Sequence, residues 1–438
     1  MVDNMKVSVI GGTRGLGYWI ARFLKDEGFS VIITGRDREA GLAAAERIGA
    51  DYCPDNTRAA SASDVVIVSV PIDVTPNVLR EVAPNVREGC LLMDVTSVKE
   101  EPARIMAELI PDGAYFIPAH PMFGPRVTSL EGQVVVLTPT EDNPWLEPLK
   151  EFLEERKARV IVTDPEKHDL MMAVVQVLTH FAYISIAATL ESAGVDIRES
   201  RKFASPIYNL MIDTIARIVA QNPYLAYSIQ THNRHARRMR DLFLETAGEL
   251  RDLLDSGAMD EFVRRMSLAA KNIDDIESSL GRSDKAIEAL NHELSLLKDS
   301  VGGEVGLKHI YSGKVHVGIL ESVTPDYAIL RSGKRTLKFK ISNIRVLSGD
   351  ELLRWKADNL DSAVYDISAV FPDGVRPEVI EELLGRLDGV VEARVTDRYR
   401  GPQIPDGFIS LTVRIRVFER ESYERVKKVI EGMGASIR

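Results

Sequence analysis

Val7-Ser8-Val9-Ile10-Gly11-Gly12-Thr13-Arg14-Gly15-Leu16-Gly17 is an apolar-biased run that ends on glycines. Tyr18-Trp19-Ile20-Ala21-Arg22-Phe23-Leu24 follows with helical spacing. A strand that turns on glycines into a helix aims backbone N–H groups and the positive helix end at one point, which suits a pyrophosphate. Gly12 and Gly17 take the first and last positions of a G-x-G-x-x-G pattern, and Arg14 takes the middle one. Gly11 and Gly15 keep the turn flexible. The Arg14 guanidinium can give phosphate charge-assisted hydrogen bonds. With Thr13 and Leu16 completing the turn, residues 11–17 are expected to line a dinucleotide. A plain tight turn of an α/β domain is the alternative.

The next strand, Ser30-Val31-Ile32-Ile33-Thr34, runs into Gly35-Arg36-Asp37-Arg38. NAD binders usually place an acidic residue here for the ribose 2′-hydroxyl. Arg36 instead suits a 2′-phosphate, so NADP is the expected cofactor and NAD the alternative. Asp37 lies one position late, and a solvated charge cluster opening the helix Glu39–Ile48 is the competing reading. Asp64 to Val70 reads as a strand buried on both faces, stopped by Pro71, so Val70 and Pro71 are expected to border the cofactor. Leu91–Ser97, Ala114–Pro118, Gln133–Thr138 and Val160–Val162 are expected to extend and close the same sheet. That is a doubly wound Rossmann α/β fold, with ligands at the carboxyl ends of its strands, where Ser97 and His120 fall.

The 438 residues have room for roughly two to four domains. A net charge of −10 without a long basic run argues against a nucleic-acid partner. Two cysteines, Cys53 and Cys90, cannot build a disulfide framework, which fits a reducing cytoplasm. No apolar run reads as transmembrane and no signal peptide is evident, so a cytoplasmic protein without a membrane partner is expected.

His120 lies in Pro118-Ala119-His120-Pro121-Met122-Phe123-Gly124-Pro125, where prolines stiffen the chain into a rigid loop. A histidine there is a candidate general base, because its pKa lies near neutrality. The alternative is a loop histidine bonded to a backbone carbonyl.

Asp94-Val95-Thr96-Ser97-Val98-Lys99, followed by His120-Pro121-Met122-Phe123-Gly124-Pro125, resembles the prephenate dehydrogenases. That family carries a D-x-x-S-V-K strand end and an H-P-x-x-G loop at this separation after a Rossmann turn. The resemblance spans roughly the first 280 residues of the chain. It implies oxidative decarboxylation of prephenate to 4-hydroxyphenylpyruvate in tyrosine biosynthesis. His120 would take the proton of the ring hydroxyl, and Ser97 would bond that hydroxyl or orient His120. An arogenate dehydrogenase is the near alternative. A deazaflavin-linked NADP reductase and a non-catalytic nucleotide and amino-acid sensor are further ones.

Asp164-Pro165 reads as a helix start. His168-Asp169-Leu170 onward to Leu190 is apolar nearly all round and is expected to be a buried helix. Gln176, His180 and Tyr183 share one face, as a structural network or as a lining for a polar substrate. The resemblance makes His180 a substrate-site histidine. Val177 stands where some members carry a companion histidine. Arg217 sits among isoleucines, either paired with Asp213 at i,i+4 or clamping a carboxylate. The resemblance implies the clamp. His232, Arg234, His235, Arg237, Arg238 and Arg240 are expected to form a solvated face pairing with Asp241, Glu245 and Glu249. No third ligand accompanies the two histidines, so no metal is expected.

Ile287, Leu290, Leu294 and Leu297 form an apolar stripe suited to helix association, and a homodimer is expected. Residues 308–347 alternate as short strands of a small β-module. Residues 363–438 read β-α-β-β-α-β, a ferredoxin-like α+β pattern. This part resembles the ferredoxin-fold anticodon-binding domain of phenylalanyl-tRNA synthetases and the ACT regulatory domains, and tyrosine is the effector the latter suggests. The expected domains are residues 1–163 (NADP-binding), 164–300 (all-α, substrate and dimerisation), 305–350 (β-module) and 361–438 (ferredoxin-like).

Overall fold

The computed structural model describes residues 5–273 and 275–438, and the chain divides into two compact units, Met1–Asp274 and Asp275–Arg438. In the first unit β1 (Lys6–Ile10), β2 (Ser30–Ile33), β3 (Asp51–Tyr52), β4 (Val65–Val68), β5 (Leu91–Asp94) and β6 (Tyr115–Phe116) form one sheet in the order β3-β2-β1-β4-β5-β6. Every pairing in it is parallel. The strands are apolar on both faces because both faces are covered. Val7 and Val9 pack with Trp19, Ile20 and Leu24 on one side. Ile10, Val66 and Val68 pack with Leu79, Val82 and Met106 on the other. The strand order reverses between β1 and β4, which opens a crevice at their carboxyl ends.

Two expectations change here. The strands β8 (Val134–Leu137) and β9 (Arg159–Val162) do not extend the first sheet. They join β7 (Ala119–Pro121) in a separate sheet, with β7 antiparallel and β9 parallel to β8. Pro118 explains the departure. Ile117 N–H still donates to Leu92 O at 3.0 Å, but Pro118 has no N–H to continue that ladder. Its carbonyl accepts instead from Thr138 N at 2.9 Å and Thr138 Oγ1 at 3.1 Å. His120 therefore sits on a short strand, not on a loop.

The second change concerns the helical run after β9. Asp164 accepts from Lys167 N at 2.8 Å and Pro165 takes the first turn, so the helix starts cleanly at Pro165–Met172. It widens into a π-helical segment over Ala173–Leu178 and resumes as Thr179–Ser192. Its apolar surface was expected to be buried, yet Leu170, Met171, Val174 and Val175 are exposed and Thr179–Ser192 buries no residue. Within one chain, the helices Pro206–Val219 and Ala236–Asp255 cover only part of it. By length and composition this run could cross a membrane, contrary to the expectation that no such run exists.

In the second unit the helix Ile276–Asp299 precedes β10 (Glu304–His309), β11 (Val315–Val323), β12 (Tyr327–Ser332), β13 (Arg335–Lys340) and β14 (Ile344–Val346). These form an antiparallel sheet in the order β13-β12-β11-β10-β14. Leu297 is fully buried against Val305, Leu307, Leu320 and Ile344, so the stripe read as an association face ends in its own module. The side chain of Leu290 lies outside the described residues. Strands β15 (Ala363–Pro372), β16 (Val390–Tyr399), β17 (Phe408–Val417) and β18 (Ser436–Ile437) alternate with the helices Pro377–Gly385 and Arg420–Gly432. Their order β16-β17-β15-β18, all antiparallel, is the split β-α-β arrangement.

Candidate active site

The crevice at the head of β1 is shaped for a ligand backbone rather than for side chains. Gly11 has φ of +85°, and a Cβ there would lie 2.3 Å from Ser69 O and 2.9 Å from Val70 Cγ1. A Cβ on Gly17 would lie 2.5 Å from Gly11 O, so this glycine lets the helix Gly15–Asp26 press onto the turn. Arg14 at the N-cap makes no side-chain cap, which leaves the first backbone N–H groups of that helix free for an anion. Arg14 and Arg36 are exposed, and neither is held by an ion pair among the described residues. Asp37 is engaged otherwise, since its carboxylate accepts from Ala40 N at 3.0 Å as the cap of the helix Arg38–Ile48. The tiny strand β3 was not read in the sequence and has a role here. Tyr52 donates to Gly35 O at 2.9 Å, fixing the turn that carries Arg36. The donor set and the glycine cradle fit an NAD(P) pyrophosphate, and Val70 Cγ1 borders the cradle beside Gly11.

His120 is buried. Its strand is held from below by the D-x-x-S-V-K segment. Asp94 Oδ2 accepts from Thr96 N at 3.0 Å, from Thr96 Oγ1 at 2.5 Å and from Lys99 Nζ. Lys99, fully buried, also donates to Ala119 O at 2.7 Å, next to His120. Burial pulls the Lys99 ammonium below the ordinary lysine range, and the Asp94 carboxylate opposes that pull. His120 Nδ1 meets His168 Nε2 at 2.9 Å, and His168 Nδ1 meets Asp169 Oδ1 at 2.7 Å. Gln176 Nε2 lies 3.3 Å from His120 Nε2. Burial holds the His120 imidazole well below its ordinary value, and the buried Lys99 ammonium adds to this. It is therefore neutral near pH 7, as a proton acceptor must be.

The structure thus joins two of the sequence candidates, His120 and Gln176, by direct contact. Ser97 lies at the carboxyl end of β5 and makes no hydrogen bond to His120 among the described residues. His180 follows on the same helical run. Its Nδ1 is buried without a partner, and burial lowers its pKa. Val177 is core, packed with Ile72, Val98 and Ile229. The Asp213–Arg217 pair does not form, because Asp213 bonds Arg201 at 2.5 Å and Arg217 is left exposed on its helix. The basic cluster is only partly paired as expected. Arg237 approaches Asp241 at 3.8 Å, but Arg234 reaches Glu100 at 2.9 Å and Glu166 at 2.6 Å, and Arg265 takes Glu249.

Three residues of this assembly were missed in the sequence. Lys99 was read only as the last residue of the D-x-x-S-V-K motif, and His168 and Asp169 only as the opening of a helix. The signal for the last two was an adjacent His-Asp pair one turn after a capped helix start, in a run otherwise too apolar to hold them without partners.

Two family models match the chain: "Prephenate dehydrogenase, nucleotide-binding domain" over residues 20–162 and "Prephenate dehydrogenase, dimerization domain" over residues 164–268. The "Probable arogenate/prephenate dehydrogenase" of Methanocaldococcus jannaschii is 43% identical over 444 residues, covering 99% of each chain. The "T-protein" of Haemophilus influenzae is 34% identical over 223 residues, 51% of this chain and 55% of that one. Among solved structures, Synechocystis arogenate dehydrogenase is 22% identical with a TM-score of 0.48, covering 61% of this chain and 98% of that one.

Proposed function

The chain belongs to the prephenate dehydrogenase family, and from that premise we propose that prephenate is its substrate. It is an NAD(P)-dependent oxidoreductase of tyrosine biosynthesis. The reaction we assign to it is oxidation and decarboxylation of prephenate to 4-hydroxyphenylpyruvate. The observation that carries this reading is the buried His120, whose Nε2 lies 3.3 Å from the Gln176 amide. Residues 11–17, Val70 and Pro71 would hold the dinucleotide, and the bound nicotinamide supplies the hydride acceptor. His120 Nε2 takes the proton of the ring hydroxyl as the carbinol carbon is oxidised. Gln176 turns its amide from His120 to the substrate. The new ketone is conjugated with the carbon bearing the ring carboxylate, so loss of carbon dioxide leaves an aromatic ring. Ser97 bonds the same hydroxyl. His180, with its free Nδ1, lines the ring side, and Arg217 clamps a carboxylate.

Arg36 favours NADP over NAD, because Asp37 is spent on a helix cap. Arogenate is the second candidate substrate, since the Methanocaldococcus relative carries both names. The exposed apolar residues Leu170, Met171, Val174 and Val175 support a homodimer that covers them. Paired copies in the cytoplasm account for this helical run without a membrane. Domain boundaries near residues 163, 300 and 360 would then separate cofactor, substrate, β-module and effector parts, with tyrosine as the effector of the last. Initial rates with prephenate and arogenate, each with NAD and NADP and with and without tyrosine, test the reading. Turnover of prephenate with NADP, slowed by tyrosine, is expected. Turnover of neither substrate with either cofactor would refute it.

A further inference from the structure

We infer that His168 and Asp169 are positioning residues that fix the tautomer of His120, placing its proton on Nδ1 and its lone pair on Nε2. This rests on the reading of His120 as the base. The argument starts at Asp169. Its Oδ1 accepts from Lys99 N at 2.8 Å and its Oδ2 from Glu100 N at 3.1 Å, both at the start of the helix Glu100–Leu109. A carboxylate locked in this way can only accept, so His168 Nδ1 donates to Oδ1 across 2.7 Å. On the inference that this imidazole carries a single N–H, its Nε2 is left as an acceptor. It faces His120 Nδ1 at 2.9 Å, which therefore carries the proton. His120 Nε2 is left bare, and the Gln176 amide nitrogen, a donor, stands 3.3 Å away. The opposite arrangement would put a proton on Nε2 and leave no lone pair on the Gln176 side of the ring.

The parts are held rigidly and come from different elements. His168 and Asp169 are buried, and Asn233 Nδ2 donates to Asp169 O at 2.7 Å. Lys99 ties the strand of His120 to β5 through Ala119 O. The titratable groups facing His120 are His168, from the helix Pro165–Met172, and Lys99, which Asp94 partners; Gln176 is uncharged. When His120 takes the substrate proton, its Nδ1–H keeps its acceptor and the Asp169 carboxylate lies at the end of the same chain.

The test uses the full-length protein and two variants, with two readouts. His168→Leu removes the acceptor, and His168→Gln returns an oxygen near the position of Nε2. The first readout is the pH profile of kcat/KM with prephenate and NADP. The second is the 15N spectrum of histidine-labelled protein, which reports the His120 tautomer without turnover. His168→Leu should lower kcat roughly 10- to 100-fold. It should also move the acid limb, because the group that meets His120 Nδ1 is gone. His168→Gln should recover most of kcat, and wild-type His120 should carry its proton on Nδ1. Three results would each overturn the inference. The first is a His168→Leu enzyme within about twofold of wild type with an unmoved limb. The others are a His168→Gln enzyme no faster than His168→Leu, and a proton on His120 Nε2. Should His168→Leu fail to fold, the spectrum and His168→Gln still decide. An active His120→Asn enzyme removes the base assignment instead, and the tautomer measurement stands apart from it.

Discussion

Lys99 is the side chain whose loss should be felt most widely. It is fully buried, and its ammonium is shared between Asp94 Oδ2 and Ala119 O. Lys99→Met keeps the volume of the stem and removes the charge. Asp94 then keeps only the two bonds from Thr96, and its Oδ1 already has no partner among the described residues. Removing one partner of a buried ion pair costs about 3–5 kcal/mol, because the remaining charge is left uncompensated. The Ala119 carbonyl loses its side-chain donor as well, and the strand bearing His120 loses its tie to β5. Urea unfolding followed by tryptophan fluorescence is the assay, since Trp19 and Trp145 both lie in the first unit. The expected loss is about 3–5 kcal/mol, and the double variant Asp94→Asn/Lys99→Met should recover part of it. A Lys99→Met protein less stable by under about 1 kcal/mol, with kcat unchanged, would refute the view that this pair holds the base in place.

Arg36→Ala should raise KM for NADP by roughly 10- to 100-fold, as loss of a charge-assisted phosphate contact implies, and leave KM for NAD nearly unchanged; equal effects on both cofactors would remove the 2′-phosphate assignment. Arg217→Ala should raise KM for prephenate by a similar factor of roughly 10 to 100, with a smaller change in kcat, and an unchanged KM would take the clamp away. Stability should fall on acidification below neutrality. Burial depresses the folded pKa of His120 and of His180. Unfolded histidine, near 6.5, then binds protons that the folded sites refuse, so the stabilising contribution is complete above about pH 6.5 and shrinks as the pH falls towards the folded values. A Tm that is flat or rising from pH 7 to 5 would contradict this.

The Rossmann half was legible because it is built from local rules. β1, its glycines and the following helix form a continuous signal, and the structure shows why Gly11 and Gly17 tolerate no side chain. The parallel strands announced themselves as runs apolar on both faces. The break at Pro118 was not foreseen, although a proline without an N–H is a physical reason to leave a ladder. β3, two residues long, has too little sequence to carry a periodic signal. His120 stood out as a candidate because its flanking prolines mark the segment and the family resemblance implies its role. His168 and Asp169 were not, because their role depends on a partner 48 residues away that pattern reading cannot bring near. The apolar helical run was read correctly as apolar and wrongly as buried, since periodicity says that a surface needs cover but not whether the same chain provides it.

The most direct measurement is the turnover of His120→Asn with prephenate and a saturating nicotinamide cofactor, alongside its cofactor affinity. Loss of a general base predicts a fall in kcat of at least about 100-fold with dinucleotide binding nearly intact. An enzyme that keeps most of its kcat would place the proton acceptor elsewhere and contradict the account.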